Sequence, residues 1–159
     1  MKPAKTLFDK VQGEVPEFSI SYKTKGNPAL RQQITSSKDI AEICRKCFDS
    51  DTIDWVESFI VMGFNRANRL LGFYKVSQGG VDRTAVDAKV IFQFALLCNA
   101  SLLVLCHNHP SGSIRPSHSD EITTRKLKEA GELLDIKLLD HVILGADGEY
   151  YSFCDEGML

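Results

Sequence analysis

A chain of 159 residues, 43% of them hydrophobic, can bury one respectable core but hardly two, so a single compact domain is expected. Nineteen basic residues against twenty-one acidic ones, scattered along the sequence, leave no sustained patch for tracking a phosphate backbone, and strong nucleic-acid binding is not expected. The longest apolar run, Ala95 to Cys106, is broken by Asn99 and Ser101 and is too short to cross a bilayer, and the opening MKPAKTLFDK has no apolar signal core, so a cytoplasmic protein with five unpaired cysteines is expected.

Residues 1–35 are punctuated by Pro3, Gly13, Pro16, Gly26 and Pro28, and only the stretch around Phe18 to Tyr22 alternates like a strand, so this segment reads as an arm or edge strand. The compact domain, 36–159, starts with a helix behind a Ser cap, in which Ile40, Ile43, Cys44, Cys47 and Phe48 recur at helical spacing. Trp55 to Phe64 and Leu70 to Val76 read as two strands joined at Asn65 to Asn68. A helix over Asp87 to Cys98 follows, then a short apolar strand, Leu102 to Cys106, of the kind buried on both faces. A polar loop leads to a helix marked by Ile122, Leu127, Ala130, Leu133 and Leu134, and strands at Ile136 to Leu144 and Tyr150 to Phe153 complete the order α-β-β-α-β-α-β-β. Helices crossing between strands predict an α/β fold in three layers, α/β/α, around a mixed sheet. Ligands in such sheets gather beyond the carboxyl ends of strands, and the loop starting at His107 lies at one such end.

That loop carries the chemistry. His107 and His109, at i and i+2 on a strand end, can turn two imidazoles toward one ion, and Asp120 at the start of the next helix can return a carboxylate as third ligand. Three protein ligands and one position left for water is the catalytic zinc arrangement. Ser117 and Asp120 also form an S-x-x-D capping box, a sound reading with or without a metal. An isolated H-x-H is more often a pair of loop residues, but the full spacing would arise in only about one shuffled chain in two thousand. Hydrolysis needs a base as well. Glu57 opens a strand whose Phe59 and Val61 share its face, a costly place for a carboxylate without a partner or a task, although a solvated strand-end glutamate fits the pattern nearly as well.

Glu57, then H-x-H, seven residues, Ser, two residues and Asp resembles the JAMM signature of the JAB/MPN metallopeptidase fold, and HNHPSG with Asp140-His141-Val142-Ile143 further on is similar to RadC proteins. The resemblance covers roughly residues 36–155. It implies one Zn²⁺ per chain on His107, His109 and Asp120, Glu57 as general base, Ser117 as a donor to the developing oxyanion, a peptide or protein substrate, and a fold order shared with cytidine deaminases. Many RadC proteins also carry an N-terminal helix-hairpin-helix region; this chain is too short for it, which weakens a DNA-repair expectation.

Other signals carry less. Cys44-x-x-Cys47 lies at i, i+3 in an amphipathic helix and reads as core packing; His118 reads as a surface residue; His141, alternating with Leu139 and Ile143, reads equally as a support to the metal site or as core. The H-x-E and P-C-x-x-C of zinc deaminases are missing. The rivals to a metal-dependent amide hydrolase are a noncatalytic interaction module on the same fold and a DNA-repair-associated protein. No membrane partner is expected, and the sequence is compatible with a homo-oligomer without requiring one.

Overall fold

The computed structural model of the chain describes residues 26–79, 85–145 and 148–159. The strand expected around Phe18 to Tyr22, and most of the N-terminal arm, lie outside them. The described elements run α1 (Ser37–Cys47), β1 (Ser58–Phe64), β2 (Leu70–Gln78), α2 (Ala88–Leu97), β3 (Leu102–Asn108), α3 (His118–Leu133), β4 (Lys137–Leu144) and β5 (Tyr150–Ser152), preceded by a 3-10 turn at Pro28–Leu30.

The strands form one mixed sheet in the order β2-β1-β3-β4-β5, with β3 and β4 parallel and the other neighbours antiparallel. Period-two alternation sorts its side chains. Ile60, Met62, Phe64, Val104, Cys106, Val142 and Leu144 meet Ile40, Ile43 and Cys44 of α1, whereas Phe59, Val61, Leu103, Leu105 and Leu138 meet Ile91, Phe92, Ala95 and Leu127 of α2 and α3. Helices therefore cover both faces, which is the expected three-layer α/β/α arrangement. All seven residues of β1 are buried, and each large aliphatic side chain so placed contributes roughly 1.5–3 kcal/mol. Ile34, within the expected arm, packs into the α1-side core, and Gln33 bridges Arg69 beside it.

Local chemistry sets the element ends. Ser36 and Asp39 form a capping box on α1: the Ser36 side chain accepts from Asp39 N, and Asp39 Oδ2 accepts from Ser36 N. Asn99 and Asp135, with φ of 55° and 56°, follow α2 and α3 in the left-handed region where a glycine is more usual. Three details differ from the sequence reading. The strand expected from Trp55 begins only at Ser58, because Trp55 N and Val56 N are taken by Thr52 O in the turns before it. β3 does not stop at Cys106 but continues through His107 and Asn108, both buried. A register shift opposite Leu103/Val104 sends Leu139 to the α1-side core, so His141 does not share its face. The five cysteines are free, with Cys44 and Cys106 in the α1-side core and Cys47 packed against it. No helix among the described residues is long and apolar enough to cross a membrane.

Candidate metal centre

Extending β3 by two residues carries His107 onto the α2–α3 face beyond Leu103 and Leu105, and Asn108 onto the other face. His107 stacks on Phe59, its partner across β1, with ring centroids 5.8 Å apart. The chain then leaves the sheet, but His109 N still donates to Leu144 O at 3.0 Å, so the second histidine is fixed to the end of β4. A turn closes behind it, with Gly112 N donating to His109 O at 2.9 Å and Gly112 at φ +77°, where other residues are strained. Gly145 lets this loop lie flat on the sheet end: a Cβ there would sit 2.5 Å from Ile114 Cγ2 and 3.0 Å from Gly112 O.

The first turn of α3 closes the site. Ser117 caps the helix, and the Asp120 carboxylate accepts from Ser117 N (2.7 Å) and Ser117 Oγ (2.6 Å) through Oδ2. The same side chain turns Oδ1 toward His107 Nε2 at 3.4 Å. The capping box and the metal ligand of the sequence reading are thus compatible: one carboxylate oxygen is held by the cap and the other faces His107. His107 Nε2 lies 3.0 Å from His109 Nε2, which is 3.9 Å from Asp120 Oδ2.

These three residues each offer a ligand atom within 4.8 Å of the others, and they are the one such group of His, Cys, Asp and Glu among the described residues. A tetrahedral ion with bonds of about 2.0–2.2 Å separates its ligand atoms by about 3.3–3.6 Å, so the present spacings need only small adjustments. The lone pairs support the fit. His109 Nδ1 is 2.6 Å from Ser113 O, and a carbonyl only accepts, so Nδ1 carries the hydrogen and Nε2 presents a lone pair to the centre. Burial pushes His107 down to about 4 against the pull of the Asp120 carboxylate, so at neutral pH it is an uncharged imidazole, as ligation requires, and its contact with Asp120 is not an ion pair. Two imidazoles and a carboxylate suit zinc and leave a fourth position.

Glu57 immediately precedes β1. It is half-buried, its carbonyl accepts from Gly79 N at 2.9 Å, and alternation puts it on the face of Phe59 and Val61, which is also the face of His107. It lies two residues before Phe59, whose cross-strand partner is His107, and so at the same end of the sheet as the histidines. It stands outside the ligand group.

Two residues that the sequence reading did not single out, Asn108 and Thr124, brace the site. Asn108 is buried and grips the backbone on both sides of Glu57: Oδ1 accepts from Ser58 N (2.8 Å), while Nδ2 donates to Val56 O (2.9 Å) and Ile53 O (2.5 Å). Thr124, buried in α3, has its Oγ1 2.6 Å from His141 Nδ1, and His141 Nε2 is 2.9 Å from His107 Nδ1. Asp140, on the opposite face, ties β4 to β5, accepting from Ser152 Oγ (2.7 Å), Cys154 N (3.0 Å) and His141 N (2.8 Å); burial outweighs these bonds and raises its pKa. No local signal marks Asn108 or Thr124, whose side chains reach partners on other elements. His118 is exposed and turned toward Glu121, away from the centre, as its surface reading expects.

A family model described as the RadC-like JAB domain matches residues 34–158. Among curated relatives, a UPF0758 protein of Flavobacterium johnsoniae is 42% identical over 127 residues, covering 80% of this chain and 54% of the relative. A UPF0758 protein of Porphyromonas gingivalis is 41% identical over 103 residues, 65% of this chain and 45% of the relative. The chain thus spans about half the length of the curated relatives it matches. The matched span runs from Ile34 past the last strand and takes in the whole histidine–aspartate centre, and the chain belongs to the RadC-like JAB domain family.

Proposed function

We propose that the domain is a zinc-dependent hydrolase of the JAMM type, cleaving a peptide or isopeptide amide bond in a cytoplasmic peptide or protein. The observation that carries this reading is the convergence of His107 Nε2, His109 Nε2 and an Asp120 carboxylate oxygen on one point, in a donor set that suits one zinc per chain. When bound there, zinc supplies a Lewis acid that lowers the pKa of a water to about 7 and polarises the scissile carbonyl.

The chain's own residues supply the rest. Glu57, two residues before the Phe59 that pairs with His107, takes the proton of the attacking water and returns it to the departing amine nitrogen, so the product leaves as a neutral amine. Ser117 Oγ, at the rim on Asp120 Oδ2, can turn its hydrogen to the carbonyl oxygen as negative charge develops, while Ser117 N–H keeps its hold on the carboxylate. Loss of one such donor costs about 10²–10³ in kcat.

The test uses zinc-loaded protein with libraries of linear peptides and of lysine-linked isopeptides, cleavage being read by mass spectrometry. Glu57→Gln keeps the shape but cannot accept the proton, so it should retain zinc and melting temperature while cleavage is lost. Cleavage by E57Q at the wild-type rate would remove Glu57 from the mechanism; no cleavage of any member by the zinc-loaded wild type would count against hydrolysis of these bonds.

A further inference from the structure

The Thr124 hydroxyl has a single hydrogen and lies 2.6 Å from two groups, the Asp120 carbonyl oxygen and His141 Nδ1. Two oxygens at that distance need a hydrogen between them, and the carbonyl has none to give, so Thr124 donates to Asp120 O. Thr124 Oγ1 is then left to accept, and His141 Nδ1 must carry the hydrogen that it receives. A neutral imidazole has only one, so His141 Nε2 is a bare acceptor. Across 2.9 Å it faces His107 Nδ1, which must therefore hold the proton of that ring. His107 Nε2 is left with its lone pair aimed at His109 Nε2 and Asp120 Oδ1.

We infer that His141, anchored by Thr124, is a positioning residue that fixes the tautomer and ring orientation of His107, so that Nε2 is ready for a cation. The inference rests on the metal reading above and extends it to side chains that touch no ion. The surroundings leave the relay little freedom. His107 and His141 are fully buried and Thr124 nearly so, Phe153 stacks on His141 with centroids 4.8 Å apart and an interplanar angle of 12°, and Phe59 stacks on His107. The relay also starts at the backbone of the residue whose carboxylate it serves, so the first turn of α3 sets two of the three ligands at once. Its other half is built by the parallel pairing of β3 with β4, which sets Leu105 opposite His141.

The experiment compares zinc affinity, by competition with a chromophoric chelator at neutral pH, in the wild type, His141→Phe, Thr124→Val and Thr124→Ser. Phenylalanine keeps the stack on Phe153 but removes the acceptor; valine is nearly isosteric with threonine but has no hydroxyl; serine restores it. Circular dichroism and melting curves establish folding, and long-range ¹H–¹⁵N correlation spectra of the zinc-loaded wild type locate the His107 proton. Affinity should fall by about 10–100-fold in H141F and by about tenfold in T124V, T124S should stay within about twofold of wild type, and the spectra should show the proton on His107 Nδ1 with zinc on Nε2. If H141F does not fold, the valine and serine pair decides.

Folded variants that bind zinc as tightly as the wild type would overturn the relay and leave the metal site standing. A loss in T124V that T124S fails to restore would make packing the cause and would equally overturn it, as would coordination of zinc through His107 Nδ1. A wild type that binds no zinc would bring down the metal reading itself, and the relay with it.

Discussion

Replacing Asn108 with leucine keeps the volume of a buried side chain and removes three hydrogen bonds that join β3 to the segment carrying Glu57. Ser58 N lies in a residue only 3% exposed, so that donor loses its partner where water is scarce, at a cost of about 1–3 kcal/mol. The carbonyls of Ile53 and Val56 belong to half-buried residues, and water can reach them in part, so each adds at most about 1 kcal/mol. The sum is about 1–5 kcal/mol, which for a domain of this size lowers the melting temperature by about 3–15 °C. The loss should also loosen the backbone on both sides of Glu57, so in a folded N108L activity should fall more than zinc affinity does. Urea and thermal unfolding monitored by circular dichroism give the first quantity, and chelator competition with substrate turnover gives the second. A folded N108L that melts within about 2 °C of wild type would show that the three bonds do not brace this segment, and the argument from them would fail.

Acid should destabilise the metal-free protein. Burial lowers His107 from 6.5 to about 4 and takes His141 well below its ordinary value, so between those limits the unfolded chain binds more protons than the folded one. The contribution is complete above about pH 6.5 and is lost as pH falls toward 4, with His107 alone accounting for about 3 kcal/mol; Asp140, whose pKa is raised, opposes the trend at the acid end. Urea midpoints in the presence of a chelator should fall over this window, and a flat profile would contradict the neutral, buried assignment. Replacing Cys44 and Cys47 together with alanine should lower stability by removing core volume while leaving zinc stoichiometry unchanged, since both thiols pack in the α1-side core; metal analysis showing a lost equivalent would mean that the helix had been misread.

The cluster of His107, His109 and Asp120 was legible because its geometry is mostly local. An i, i+2 pair on a strand end and a carboxylate in the first turn of a helix need only the loop between them to bring the three together, and the capping signal of Ser117 and Asp120 located that helix start. The layer order was legible for a similar reason, since each helix and strand carries its own hydrophobic period. Asn108 was not. A polar residue after an apolar run reads as the start of a loop, and only the pairing of β3 with β1 shows that it is buried and bonded to residues some fifty positions earlier. His141 was left between two readings, support to the centre or core, because strict alternation groups it with Leu139, whereas the irregularity beside Leu139 separates the two and puts His141 on the face of His107. Thr124 looked like an ordinary helix residue because its partners are a backbone carbonyl one turn back and a side chain on another element. Glu57 stood between the two cases, with its face legible from alternation and its place at the histidine end of the sheet given only by the pairing of β1 with β3.

The central claim is most directly tested by determining the metal content and coordination of the purified protein after zinc loading and dialysis, with elemental analysis for stoichiometry and zinc-edge anomalous diffraction for position. One zinc per chain is predicted, bound by Nε2 of His107 and His109 at about 2.0–2.1 Å and by a carboxylate oxygen of Asp120, and it should be absent from His109→Ala. A wild type that retains no zinc, or an H109A variant that holds a full equivalent at the same position, would contradict the account.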